Sequence, residues 1–332
     1  AQVNDLHHVA FTIGMSRSRR LGRAGSGLSR ESVPLTLCAA SSLVREDIPK
    51  PKDAFKIRRV RFDRDEVCIL LQDWNGPCPM LAVLNFLSLT RQGIVHRRLS
   101  RRAASGGMCT AQDLQDMLRD HVQSLVERLM EAQSPDEERL KNLTETVDFL
   151  PSIMSGMNVD PGFDRASNFA DSVELRAFQA LQVPLLHALV CGSDEEVFCL
   201  LQGKTYNQAM DIVVTNSEDG LRMQEWIDRW PLQSTPSGLL AVRREIAEGG
   251  SAVLFHNCHF SLVHKRRGKL YTLVTDEGIV GAESFIVWSS LSDCWGDLVF
   301  LDAEFRTQAD RQSMTRKRRE EGCEPCEVCV VQ

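Results

Sequence analysis

Residues 79–89, PMLAVLNFLSL, are apolar on almost every side of a helical wheel, and they follow the turn sequence Asn75-Gly76-Pro77. A helix that is apolar all round has no face to offer water, so it belongs inside a fold with other elements packed around it. Pro79 suits the first helical turn, where its missing N–H costs nothing, and the helix is expected to end near Gly93. Ahead of it, residues 60–62 and 67–71 read as short strands. The chain has 332 residues, 43% hydrophobic and 25% charged, enough for a large core without covalent staples.

Beyond this helix the sequence divides in two. The basic stretch His96-Arg97-Arg98-Leu99-Ser100-Arg101-Arg102, with Gly106-Gly107 after it, makes 94–109 read as an exposed loop. Thr110 is a plausible N-cap, and Leu114, Met117, Leu118, Val122, Leu125 and Leu129 then recur at helical spacing as far as about Gln133. Further helices fit 137–157, 172–181, 194–201, 205–214, 221–229 and 236–248, the last closed by Gly249-Gly250. The pattern then switches to period two. Residues 252–255, 259–264 and 270–275 read as successive strands, with 265–269 as the turn between the last two, and 286–288 and 298–301 complete a C-terminal sheet. Strands, an apolar helix, a helical insertion and an antiparallel sheet make an α+β fold. Residues 1–53 read as a disordered basic arm, because 17–30 is RSRRLGRAGSGLSR with little to bury.

Net charge is −6, which gives no reason to expect nucleic acid as a partner. The 11 cysteines follow no framework spacing, and there is no N-terminal apolar region of the secretory kind. No apolar run approaches the length that spans a bilayer. A reducing, cytoplasmic setting with most cysteines as thiols is the expectation.

Cys78 sits where the apolar helix begins. Unpaired N–H groups and the positive end of the helix dipole favour thiolate there. The preceding glycine permits a sharp chain reversal. A thiol nucleophile needs a base. His7 and His8 lie in the arm, His96 and His121 lie in or near charged, exposed stretches, and His187 reads as a core histidine. That leaves His256, His259 and His264 in the sheet. Along 259–264, His259, Ser261 and Val263 share one face and Phe260, Leu262 and His264 the other. The odd separation of His256 and His259 sets these two on opposite faces, and His259 opens its strand beside a turn, a good place to reach a cleft. Papain-like enzymes place a cysteine early on a helix and a histidine later on a strand, and here the helical insertion accounts for the long separation. They often carry a Gln shortly before the cysteine whose amide supports the oxyanion, and Gln72 lies six residues ahead of Cys78.

Residues 72–82, QDWNGPCPMLA, resemble the motif QNENGPCPLLA of the MINDY deubiquitinases. Blocks at 181–187 (LQVPLLH), 205–208 (TYNQ), 255–260 (FHNCHF) and 273–278 (LVTDEG) agree in order, and Val287-Trp288 with Asp302 and Phe305 closes the similarity. The resemblance implies a papain-like cysteine protease fold over 54–306, acting on polyubiquitin with a preference for lysine-48-linked chains and needing no cofactor or metal. It implies Cys78 as nucleophile, His259 as base and Gln72 as oxyanion donor. Val159, Leu189, Tyr206 and Phe255 fall at or near the family's ubiquitin-binding positions. Leu189 stands where the family often has Trp, Asp73-Trp74 replaces Asn-Glu, and Cys258 replaces the Asn before the histidine. Asp276 is a candidate to orient His259. A ubiquitin-binding protein with little or no activity is the alternative.

Residues 307–332 read as a polar, basic tail. Its Cys329-Val330-Val331-Gln332 fits a prenylation motif, and 316–319 (RKRR) lies upstream. A prenyl group with a basic run predicts partial association with a membrane surface. Cys323 and Cys326 have no second ligand pair at metal-site spacing, so no zinc site is expected.

Overall fold

The computed structural model describes residues 54–73, 76–132 and 136–320, with side chains up to 314. The basic arm, the cysteines at 323, 326 and 329 and the basic run 316–319 lie outside the described residues or side chains. The chain opens with a hairpin, β1 (Ala54–Phe62) and β2 (Asp65–Leu70). The apolar helix follows as α1 (Cys78–Leu89), then α2 (Gly93–Ala104), β3 (Met108–Thr110) and α3 (Ala111–Met130). The helical insertion comprises α4 (Glu137–Ser155) and α5 (Val173–Ala180). A short strand β4 (Leu185–His187) precedes α6 (Phe198–Leu201), α7 (Tyr206–Val213), α8 (Glu218–Arg229) and α9 (Pro236–Glu245). Strands β5 (Ser251–His256), β6 (His259–Arg266) and β7 (Lys269–Leu273) come next. Helix α10 (Glu277–Ala282), β8 (Trp288–Ser290), β9 (Phe300–Leu301) and α11 (Gln308–Glu320) complete the chain.

Helix α1 is as buried as its sequence demands. Eleven of its twelve residues are buried, every one except Cys78. It packs against β2 on one side, β5 and β6 on another, and α2, α3 and α4 around the rest. The helix stops at Leu89, short of Gly93, because Thr90 and Arg91 turn the chain, Arg91 with a positive φ of 55°. Its two polar residues have assigned work. Asn85 accepts from the Leu70 N–H at 2.7 Å and donates to the Leu70 carbonyl at 3.0 Å, as a neighbouring strand would, and the Ser88 hydroxyl donates to the Cys68 carbonyl at 2.6 Å. These bonds fix β2 to α1.

Two sheets flank this helix. β2, β1 and β3 form a three-stranded antiparallel sheet, and β4 to β9 form six strands in sequence order. The second sheet is antiparallel except at one edge, where β4 runs parallel to β5 with His187 opposite Phe255. β4 comes from within the helical insertion, so the expected purely antiparallel C-terminal sheet is mixed. The alternation of β5 and β6 divides two apolar layers. Val253, Phe255, Phe260 and Leu262 join the main core with α1, while Ala252, Leu254 and Val263 pack with Leu186, Val242 and Ile246. A third cluster gathers Phe163, Leu189, Cys191, Met223 and Trp226.

Several expectations are corrected. Residues 93–104, read as a loop, form α2, because Val95 and Leu99 stand one turn apart and are fully buried while the arginines face outward. His121, read as lying near an exposed stretch, is 1% exposed on the inner side of α3. The tail, read only as polar and basic, is helical over α11, which starts where Thr307 and Asp310 cap each other. Thr110 does cap α3: its hydroxyl accepts from the Asp113 N–H at 3.1 Å and the Asp113 carboxylate accepts from the Thr110 N–H at 2.8 Å.

Candidate active site

The seven described cysteines are all thiols, and their surroundings separate them. Cys68, Cys109, Cys191 and Cys294 are buried. Burial pushes their pKa values up, to about 11 for Cys109 and about 12 for Cys191. Such thiols stay protonated and inert at neutral pH. Cys78, Cys199 and Cys258 reach solvent. Of these only Cys78 heads a long helix. Cys199 sits in the four-residue α6 and Cys258 in a turn.

The approach to Cys78 is a tight turn. The Gly76 N–H donates to the Asp73 carbonyl at 3.1 Å, and the Cys78 N–H donates to the Gly76 carbonyl at 2.8 Å. The chain reversal expected of Gly76 uses no unusual φ, since Gly76 is not among the left-handed glycines. Its requirement is proximity: a Cβ there would meet Gln72 Cγ at 3.1 Å and the Asp73 carbonyl at 3.3 Å. The Gln72 side-chain amide donates to the Gly76 carbonyl at 3.2 Å. A primary amide carries two N–H groups, so a second remains for an incoming oxygen.

Gln72 is also tied to the far sheet. Its N–H donates to the Thr275 carbonyl at 2.7 Å and its carbonyl accepts from the Glu277 N–H at 3.0 Å, a parallel bridge with Asp276. In the β6–β7 ladder, Arg266 faces Lys269 and Val263 faces Thr272. That ladder ends at Val263 and Thr272, and the chain beyond β7 pairs with Gln72 instead. The turn before Cys78 is thereby fastened to the segment between β7 and α10. The Asp276 carboxylate accepts from the Ile279 N–H at 2.8 Å and caps α10.

His256 and His259 are direct partners across the Asn257-Cys258 turn. Both turn residues have positive φ, 51° and 57°, the type I′ geometry that suits a two-residue hairpin. Directly opposed residues share a face, so the expectation of opposite faces is overturned. Alternation holds along one strand, and a two-residue turn reflects it. His256 is half-buried, and burial, with the neighbouring His259, pushes its pKa down to about 4. His259 is open to solvent, yet the protein packed around it lowers its pKa as well. The other described histidines serve packing. His187 is 1% exposed, with one ring nitrogen on the Asn168 carbonyl at 3.0 Å and the other accepting from the Leu189 N–H at 3.2 Å. His264 is buried among Phe62, Trp288 and Phe305.

Three of the four residues carried over as ubiquitin contacts gather on neighbouring segments. The Tyr206 N–H donates to the Pro161 carbonyl at 2.8 Å, two residues from Val159, and Leu189 packs in the cluster of Phe163, beside which Tyr206 lies. The Phe255 ring tilts against Phe260 with centroids 5.0 Å apart. Val159, Leu189 and Phe255 are buried, with exposures of 2–3%, so here their side chains support the surface from beneath, whereas Tyr206 is half-buried. The Tyr206 pKa is raised by burial and then by nearby Cys258 and Asp228, so α7 begins close to the His259 hairpin. Sequence reasoning missed Asn85 and Ser88. Their signal was two polar residues inside an otherwise apolar helix.

The fold and this site define an α+β protein with a solvent-reaching cysteine at the head of its central helix. The family model described as MINDY deubiquitinase matches residues 53–305, and the chain belongs to that family. It is similar to ubiquitin carboxyl-terminal hydrolase MINDY-1 of Danio rerio, 28% identical over 277 residues, covering 81% of this chain and 52% of the relative. It is also similar to MINDY-2 of Mus musculus, 29% identical over 285 residues with 83% and 45% covered, and to MINDY-1 of Homo sapiens, 29% identical over 269 residues with 77% and 55% covered. The chain spans about half the length of the curated relatives it matches.

Proposed function

We propose that the protein is a thiol-dependent deubiquitinase that hydrolyses isopeptide bonds in polyubiquitin, with preference for lysine-48 linkages. Cys78 attacks the isopeptide carbonyl. His259 takes the thiol proton and returns it to the departing lysine amine, leaving a thioester on Cys78. Water, deprotonated by His259, then releases the ubiquitin carboxylate. The second N–H of the Gln72 amide supports the oxyanion in both steps. The observation that carries this reading is the solvent-reaching Cys78 at the head of α1, with the Gln72 amide on the turn before it and that turn bridged to the segment after β7. Asp276, whose backbone bridges Gln72, is the carboxylate assigned to orient His259. The linkage preference and a ubiquitin contact at Tyr206, with Val159, Leu189 and Phe255 beneath that surface, rest on the family resemblance. The protein acts in the cytoplasm. Where Gln332 is the terminal residue of the protein, Cys329 carries a prenyl group and part of the population sits at membranes, which intact-mass measurement of protein from a eukaryotic host checks.

A panel of linkage-defined tetraubiquitins tests the activity. Lysine-48 chains should be cleaved fastest, iodoacetamide should stop cleavage, and Cys78→Ala should abolish it while chain binding persists. Cleavage by Cys78→Ala at the wild-type rate would remove the mechanism.

A further inference from the structure

An amphipathic groove lies apart from the candidate active site. It has a volume of about 690 Å³ and runs between α9, the start of β7 and the loop joining β8 to β9. Leu239, Leu291, Trp295 and Val299 supply its apolar lining, and Arg243 and Lys269 stand among them. Leu239 and Arg243 are one turn apart on α9 and share a face. Trp295 is 61% exposed and Val299 49%, among the most exposed large apolar side chains of the described residues. Lys269 lies at the far end of β6 from His259, about 23 Å along the strand.

The groove is held in shape, and its two cations outnumber its one carboxylate. Asp293 is its carboxylate, and one oxygen already accepts from the Trp295, Gly296 and Asp297 N–H groups at 2.7, 3.0 and 3.3 Å. The Trp230 ring tilts against Trp295 with centroids 5.5 Å apart. Trp295 is therefore presented to solvent by a fixed loop. Among the described residues, neither Arg243 nor Lys269 has an ion-pair partner. An exposed apolar patch of this kind marks a docking surface, and two unpaired cations select an acidic occupant. The volume suits a few side chains of an extended segment, far less than a folded domain.

The chain carries a segment of that chemistry. Residues 321–331 read EGCEPCEVCVV: three glutamates interleaved with small residues, then a short apolar run. Thr307 lines the groove and α11 begins at the next residue. Thirteen helical residues carry the chain about 20 Å, and eleven more in extended form reach about 36 Å, so the segment can return to where the helix started. We propose that, in the chain not prenylated at Cys329, residues 321–331 dock in this groove in cis, with Val328, Val330 and Val331 against Trp295 and Val299, and Glu324 and Glu327 beside Arg243 and Lys269. The docked segment covers the patch until a competing acidic, apolar segment displaces it. The inference is independent of the proposed catalysis.

Disulfide trapping in the full chain, made in a bacterial host, tests it. Val299→Cys under mild oxidation with diamide should give an intramolecular disulfide to Cys326 or Cys329, located by peptide mapping of the monomer. Adding Glu324→Lys with Glu327→Lys should lower its yield by roughly tenfold, the size expected when two surface pairs turn from attraction to repulsion. These two substitutions touch no residue of the groove, so a fall in yield cannot come from unfolding it. Combining them with Arg243→Glu and Lys269→Glu should restore the yield. No disulfide, a disulfide only between two copies of the chain, or a yield indifferent to the charge reversals would overturn the proposal.

Discussion

His256 and His259 face each other across the Asn257-Cys258 turn, and the pair differs in one respect that matters: His259 is open to solvent and His256 is half-buried. Cys258, with a φ of 57°, occupies a left-handed position that a side chain adopts at a cost of about 1 kcal/mol. The hairpin accepts that strain to hold the two rings side by side.

From this pair follows an assignment of the base. His256, pushed to about pH 4, is neutral across the working range and has little ring surface to offer. His259→Ala is expected to abolish cleavage of lysine-48-linked diubiquitin, and His256→Ala to retain activity within about tenfold. Steady-state cleavage and iodoacetamide labelling of each variant decide it. Activity that survives in His259→Ala and disappears in His256→Ala would exchange the roles.

Gln72 and Gly76 act together. Gln72→Ala should lower kcat by on the order of 10²–10³ with KM nearly unchanged, the size expected for one oxyanion donor. Gly76→Ala should lower kcat in the same direction but less, since the added methyl at 3.1 Å from Gln72 Cγ shifts the amide without removing it. Thermal melting should move by only a few degrees in either case. A kcat for Gly76→Ala equal to wild type would show that the amide position is not critical.

Asn85 holds β2 against α1, two residues before Gln72. Asn85→Leu leaves the buried Leu70 N–H and carbonyl without partners, and it should cost about 2–5 kcal/mol. Urea denaturation measures this. Below the melting transition kcat should also fall, because Gln72 loses its anchor. A destabilisation under about 1 kcal/mol would mean that water replaces the amide.

His121 makes the fold acid-sensitive. It is 1% exposed, its Nε2 has no partner, and burial, with Arg128 nearby, pushes its pKa down to about 4. Unfolded, a histidine titrates near 6.5. As pH falls from 6.5 toward 4 the unfolded chain gains the proton and the folded chain does not, so stability present above pH 6.5 is lost through this window. The loss is up to about 3 kcal/mol for this one residue. His121→Leu should therefore be neutral or stabilising at pH 7 and should lose less stability between pH 7 and 5 than wild type does. Equal losses in the two proteins would assign the acid sensitivity elsewhere, His187 being the next buried histidine.

How much of this was legible in the sequence depends on whether local or distant contacts decide each feature. The all-round apolarity of α1, the cap at Thr110, the period-two strands of the C-terminal sheet and the cysteine at a helix head are local properties, and the order of neighbouring residues carries each of them. The basic composition of α2 hid a two-residue apolar stripe that becomes meaningful only against a core. β4 is three residues long and is a strand only because β5 lies beside it. The shared face of His256 and His259 depends on the two-residue turn, which reflects the alternation that holds along a single strand. The bridge between Gln72 and Asp276 joins residues some two hundred positions apart, and no periodicity encodes it. The sequence by itself determined the elements that local pattern encodes, and which thiol stands at a helix head. Tertiary structure alone decided which backbone meets which, because those hydrogen bonds exist only once the chain has closed on itself.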